Sequence, residues 1–398
     1  MKSISENTES RIVDRLLNRY PHLRSRFLAI REFARQVRSS EYHLTNQCNL
    51  RCPGCWFFSK EFDKHTSEFD DLTRLDAFVA SRAATGQTAA LLIGGEPTLY
   101  PDRIRVFQKH LKYITISTNG LKRLPMDGFE DVAIAVTLFG GGALDDELRA
   151  VGPNGKRFTG LLARALDNYR NDPRACFIFA VCEEGIEHIE PTVQAIRANG
   201  NQVYFNYYVA YDRPRSRESA AQTSELLAET LRMCRQYPET VPSHPYFVEA
   251  LITGRTPWGT FGYDTCPAIS TSHVAHQARK KNGNPILPNF NSYAADMQTL
   301  NFCCTSGSCG ECRDAHAVTS WLLVSFRHFT KDETSLRTWI EIAESYWASF
   351  IWSPFSRMPP DRTAQTSTAF QARPTVSPSH GVDVPRPPIP IRAMHITP

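Results

Sequence analysis

Short apolar runs alternate with helical patterns through the first 240 residues. The runs Tyr42–Thr45, Ala89–Ile93, Tyr113–Ser117, Val132–Leu138, Cys176–Val181 and Val203–Val209 are rich in Val, Ile, Phe and Tyr. They are too short for helices and predict six strands. Helical patterns fill 70–84, 101–111, 156–170, 187–198 and 223–236. Such alternation predicts a parallel sheet, because parallel strands need long crossovers. Six units suit either a doubly wound sheet or an incomplete barrel, and periodicity does not choose. Upstream, residues 8–38 read as one or two amphipathic helices. Their apolar positions are Ile12, Leu16, Leu17, Leu23, Phe27, Ile30 and Phe33, with arginines on the other face. Such a segment packs on the main domain. Between 240 and 312 periodicity fades while Pro, Gly, Ser, Asn and Cys rise. Patterns at 316–329 and 334–352 are helical again. From Pro354 onward a Pro-rich tail lacks any core-forming pattern and is expected to be disordered. This divides the chain into a helical segment (1–40), a barrel (41–238), a Cys-rich region with C-terminal helices (239–353) and the tail (354–398).

Composition narrows the class. With 398 residues and 41% hydrophobic content, the chain can bury a sizeable core. Its 45 basic and 41 acidic residues leave a net charge of +4, which argues against a nucleic-acid binder held by phosphate contacts. No apolar run approaches the ~20 residues of a membrane span. The polar start Met1-Lys2-Ser3-Ile4-Ser5-Glu6 has no signal-peptide core. A cytoplasmic protein is expected, in which eleven cysteines point to metal or redox chemistry.

Seven of those cysteines form two groups. Cys48, Cys52 and Cys55 lie within Cys48-Asn49-Leu50-Arg51-Cys52-Pro53-Gly54-Cys55, directly after the first predicted strand. At a Cys frequency of ~0.03, this three-Cys spacing arises by chance about 0.01 times in such a chain, so the group is informative alone. Three thiolates this close can wrap one soft metal centre. A closed zinc site wants a fourth protein ligand, whereas an iron–sulfur cube on three thiolates keeps one iron open for substrate or cofactor. Two further signals lie at predicted strand ends, where parallel α/β folds place their ligand sites. One is Gly94-Gly95-Glu96-Pro97-Thr98, whose glycines permit close backbone approach and whose Glu96 can meet an ammonium group. The other is Ser117-Thr118-Asn119-Gly120.

Over residues 41–210 these motifs resemble the radical S-adenosylmethionine (SAM) superfamily, which carries Cys-x3-Cys-x2-Cys after the first strand, Gly-Gly-Glu-Pro after the second and Thr-Asn-Gly after the third. The resemblance implies an α/β fold, a partial (β/α)6 barrel of TIM type with a small Cys-rich C-terminal extension. It implies that Cys48, Cys52 and Cys55 bind a [4Fe-4S] cluster whose open iron takes the methionyl part of SAM. Gly94, Gly95 and Glu96, with Pro97 completing their turn, would hold the SAM amino group. Ser117, Asn119 and Thr137 would contact ribose or carboxylate. The family usually has an aromatic before the last Cys; here Gly54 stands there and Trp56 follows Cys55, so the adenine contact would fall to Trp56. The implied reaction is reductive cleavage of SAM to a 5′-deoxyadenosyl radical that takes hydrogen from a substrate carbon, with a flavodoxin- or ferredoxin-type electron donor.

The second group is Cys303, Cys304, Cys309 and Cys312, with Cys266 upstream. Cys266, one of Cys303 and Cys304, Cys309 and Cys312 would supply four thiolates to a second [4Fe-4S] cluster. This resembles the SPASM and Twitch extensions of radical SAM enzymes, the single-cluster Twitch more closely; a structural zinc site is the alternative. Cys176, Cys182 and Cys234 read as ordinary buried thiols. His273 and His276 read as surface or capping residues, and Arg213, Arg215 and Arg217 as a solvated loop. The expected function is a radical SAM enzyme acting on a small molecule, by dehydrogenation, epimerisation or rearrangement. The rivals are a maturase of a ribosomally made peptide and a non-catalytic iron–sulfur or zinc interaction protein.

Overall fold

Each predicted apolar run becomes a strand, since its β-branched and aromatic side chains can be buried on a pleated surface. The computed structural model describes residues 4–209, 220–254, 291–301 and 313–356. It contains β1 (Ser39–Thr45), β2 (Ala89–Gly94), β3 (Tyr113–Thr118), β4 (Val132–Phe139), β5 (Ala175–Val181) and β6 (Gln202–Tyr207). Each pairs in parallel with the next. Two strands not expected from the sequence, β7 (Ser292–Tyr293) and β8 (Leu300–Asn301), extend the sheet to the order β6-β5-β4-β3-β2-β1-β7-β8. β7 is parallel to β1, and β8 runs antiparallel to β7. The sheet is open, with β6 and β8 at its edges.

The helices are α1 (Ile4–Arg19), α2 (Pro21–Gln36), α3 (Trp56–Ser59), α4 (Phe62–His65), α5 (Leu72–Ala84), α6 (Pro101–His110), α7 (Leu144–Arg149), α8 (Leu161–Asn168), α9 (Ile186–Ala198), α10 (Ala220–Gln236), α11 (Pro245–Thr253), α12 (Ala315–Val324) and α13 (Glu333–Ala348). The helix expected at 156–170 is shorter, because the Asp146 carboxylate accepts from the Gly160 and Leu161 amides and starts α8 there. Helix α11 lies in a stretch where periodicity fades; Pro245 at its first position and the capping His244 initiate it.

Side chains alternate across a strand, so each strand has two faces. On one face Tyr42, Leu44, Leu92, Ile116, Val136, Phe179 and Phe205 all belong to the main buried cluster beneath the helices. On the other face Leu91, Ile93, Ser117, Ala135, Thr137, Phe139, Ile178 and Asn206 are only half-buried by the described residues. A TIM barrel fills its interior with bulky branched side chains. Here the middle strands carry Thr115, Ser117, Ala133, Ala135, Thr137 and Ala180 instead. The N-terminal ends of the strands are closed by aromatics from both chain ends. Phe33 packs edge-on to Trp347 at 4.9 Å and to Tyr113 at 5.9 Å. The Trp352 indole donates to the Ile114 carbonyl at 3.2 Å. Among the described residues, the inner face is thus covered at its lower end and half-buried above.

Candidate active site

The loop carrying Cys48, Cys52 and Cys55 leaves the C-terminal end of β1, above that inner face. Its departure is braced. Glu68 accepts from the Thr45 hydroxyl at 2.6 Å and the Asn46 amide at 3.0 Å. Arg103, almost fully buried, ties Glu68 at 2.6 Å to the Leu44 carbonyl at 2.8 Å. Gly54 takes φ 68°, a left-handed turn that brings Cys55 back toward Cys52; the Cys55 amide donates to the Cys52 carbonyl at 3.2 Å.

Donors converge on these sulfurs. The Leu50 amide meets Cys48 Sγ at 3.4 Å, and Asn119 Nδ2 meets it at 3.8 Å. The positive charge of the Arg149 guanidinium acts on Cys52, favouring its thiolate. Burial pushes the Cys48 thiol up to about 12 and the Cys52 thiol up to about 11, and raises Cys55 as well. Bare thiolates are costly here, so a positively charged soft centre is what would hold them ionised. Among the described residues no three His, Cys, Asp or Glu side chains gather as a single metal ion requires. An iron–sulfur cube presents three separate irons to three sulfurs and suits a wider triangle. The donor set and its N–H and guanidinium neighbours fit that group.

The Gly-Gly-Glu-Pro turn is built differently from the sequence expectation. The missing Cβ atoms make room for the chain itself: at Gly94 a Cβ would lie 2.7 Å from the Thr45 oxygen, and at Gly95 only 2.0 Å from the Gln47 oxygen. The Gly95 and Glu96 amides donate to those carbonyls, both at 2.8 Å. The turn is therefore clamped to the start of the cysteine loop. The Glu96 carboxylate is not available to an ammonium group. It is buried and accepts from the Thr98 amide and hydroxyl, the Thr118 hydroxyl and the Asn119 amide, at 2.7–3.0 Å. Burial raises its pKa, against these donors. Glu96 is a brace joining the ends of β2 and β3, and any amino-group contact falls to the backbone of this turn. Pro97 starts a short 3-10 turn behind it.

Ser117 and Thr137 meet through their hydroxyls at 3.4 Å. Asn119 bonds Asn49 at 2.7 Å as well as Cys48. Trp56 sits in an aromatic cluster, 5.3 Å from Phe62 and 5.5 Å from His43 between ring centroids, and is half-buried. Its packing is accounted for by that cluster. Cys176, Cys182 and Cys234 are buried thiols, each pushed up to about 12 by burial. Cys266, Cys303, Cys304, Cys309 and Cys312 lie outside the described residues, as do His273, His276, Arg213, Arg215, Arg217 and the tail from residue 357.

Sequence reading missed Arg149. Only 2% exposed, it bonds Asp145 at 3.1 Å, the Asn119 carbonyl at 3.0 Å and the Thr137 carbonyl. Burial opposes its charge, but Asp145 and Cys52 outweigh that and raise its pKa. Asp145 in turn accepts from the Phe139 amide at 2.7 Å. One guanidinium thus ties the end of β3, β4 and Asp145 together. The i,i+4 pair Asp145 and Arg149, just past a strand end, was the available signal.

The chain thus places a Cys-x3-Cys-x2-Cys loop at the C-terminal end of β1, in an open sheet whose first six strands run parallel. No family model and no curated protein matches the chain. Solved structures of similar fold include a hexahistidine-tagged anSMEcpe with bound AdoMet (16% identity, 55% of this chain, 66% of that one, TM-score 0.42). Others are Streptococcus suis SuiB bound to S-adenosylmethionine (14%, 58% and 56%, 0.41) and native anSMEcpe with bound AdoMet and Cp18Cys peptide (13%, 77% and 96%, 0.44). The chain spans just under two thirds of the first of these and 56% of the second. No helix among the described residues is long and apolar enough to cross a membrane.

Proposed function

We propose that this chain is a radical SAM enzyme acting on a small molecule bound against the inner face of the sheet. The observation that carries the reading is the three-cysteine loop at the end of β1 above the inner face, with Asn119 Nδ2 3.8 Å from Cys48 Sγ and the Arg149 charge acting on Cys52. Cys48, Cys52 and Cys55 would hold a [4Fe-4S] cluster. Bound there, that cluster would supply the electron that cleaves SAM to methionine and a hydrogen-abstracting 5′-deoxyadenosyl group. The chain's own residues do the rest. The backbone of Gly94–Glu96 would take the SAM amino group, and Ser117 and Thr137 its polar edge. Arg149 and Asn119 position the loop and place positive charge and N–H dipoles beside the sulfurs, which favours the reduced, more negative form. The low potential that SAM cleavage needs calls for a flavodoxin- or ferredoxin-type donor. Cys266, Cys303, Cys304, Cys309 and Cys312 are proposed ligands of a second cluster.

Anaerobic reconstitution followed by dithionite and SAM tests this. About four irons per cluster and release of 5′-deoxyadenosine are expected, and both the first cluster and the release should vanish in a Cys48→Ala, Cys52→Ala, Cys55→Ala chain. Persistent SAM cleavage in that variant overturns the assignment. Absence of cleavage in the fully reconstituted wild type leaves the non-catalytic reading.

A further inference from the structure

Within the inward-facing strand positions, one formal negative charge stands out. Glu41 lies on β1, four residues before Thr45, hence about 13 Å below the strand end at ~3.3 Å per residue. Its side chain is 20% exposed. One carboxylate oxygen accepts from the Ser292 hydroxyl at 2.6 Å, and His43 Nε2 lies 3.8 Å from the same oxygen. The other oxygen meets no hydrogen-bond donor among the described residues. Burial by itself would raise the pKa of this carboxyl, but His43, Ser292 and His316 outweigh it and hold it below the usual carboxylate range. It stays ionised at neutral pH.

The facing walls are neutral: Leu91, Thr115, Ser117, Ala133, Ala135, Thr137, Ile178 and Asn206. No Lys or Arg occupies an inward-facing position on β1–β6. Among the described residues this carboxylate has one hydrogen bond, two nearby histidines and no Lys or Arg on the inner faces of β1–β6, so its second oxygen can still take a partner carrying N–H donors and positive charge.

We propose that Glu41 is the substrate anchor, taking a protonated primary amine at the foot of the inner face. This rests on reading that face as the substrate chamber, and it adds a substrate class: molecules with an ammonium group set below the carbon that reacts. Glu41 is a binding residue here and takes no part in the chemistry. A free small amine and a lysyl side chain of a peptide share this chemistry.

The test uses the full reconstituted chain and three probes: pentylamine, a lysine-containing peptide acetylated at its N-terminus, and pentanol as the neutral control. Ligand-observed NMR should show an amine binding to wild type, weakened about tenfold or more by Glu41→Gln, with pentanol indifferent to the substitution. Pentylamine binding alone points to a small-molecule source, and peptide binding alone to a peptide source. As a measurement independent of that variant's folding, carbodiimide should couple pentylamine to Glu41 in wild type, read by peptide mass spectrometry. Equal binding to Glu41→Gln, equal binding of pentanol and pentylamine, no binding by either amine, or no label on Glu41 each overturns the proposal. Release of 5′-deoxyadenosine by wild type is scored in parallel. Its absence with amine binding intact defeats the enzymatic reading alone, and the converse defeats only the anchor.

Discussion

Asn119 Nδ2 lies 3.8 Å from Cys48 Sγ, linking residues 71 positions apart across the mouth of the sheet. The same amide group bonds Asn49 at 2.7 Å, and its oxygen accepts from the Leu121 backbone. Hydrogen bonds to cluster sulfurs raise the reduction potential. Asn119→Ala is therefore expected to shift the reconstituted cluster to a more negative potential, and to lose about 1 kcal/mol of stability. A redox titration followed by electron paramagnetic resonance reads the first, and urea unfolding the second. An unchanged potential would place Asn119 outside the influence of the cluster.

The two glycines of the β2 turn should respond to substitution unlike a glycine on an open loop. Gly95→Ala drives a Cβ to 2.0 Å from the Gln47 oxygen, which is backbone and cannot swing away. The clamp to the cysteine loop must open, so we expect a loss of about 2 kcal/mol or more, on the order of an overpacked core, together with poor iron incorporation. Gly155 has φ +77° but nothing within 4 Å of an added Cβ. Gly155→Ala should cost only about 1–2 kcal/mol from backbone strain and leave iron content unchanged. Iron analysis of the two variants side by side separates the effects.

Removing Arg149 strands Asp145, which is fully buried. Arg149→Met should cost about 3–5 kcal/mol by leaving an uncompensated charge. The double variant Arg149→Met, Asp145→Leu should recover part of this in urea unfolding. Arg149→Lys keeps the charge but not the fork that reaches Asp145 and two carbonyls at once, so it should fall between wild type and Arg149→Met. A double variant no more stable than Arg149→Met would show that the pair is not coupled.

Cys176, Cys182 and Cys234 have folded-state values near 12, above the ordinary thiol value of 9.0. A raised thiol pKa means less thiolate at a given pH, and thiolate is the nucleophile. At about pH 8 the native chain should leave all three unmodified by iodoacetamide, with reaction accelerating as pH climbs toward 12. In urea all three should react at the rate of free cysteine. Peptide mass spectrometry reads each site separately, and fast native labelling of any of them would contradict its burial.

By itself the sequence determined the six strands, most crossover helices and the loop that carries Cys48, Cys52 and Cys55. Those features are local: β-branched and aromatic runs, helical periodicity and cysteine spacing all lie within a dozen residues. It could not show that Glu96 spends its carboxylate on Thr98, Thr118 and Asn119, because two of those donors come from another strand end. Nor could it single out Arg149 or Glu41, whose meaning depends on which face of a strand or which loop lies opposite. The two-residue strands β7 and β8 are too short for any alternation to be read, and exist only through pairing with β1 and with each other. Which polar groups are satisfied by the chain and which are left for a ligand is decided by packing, since burial is what makes an unmet charge costly.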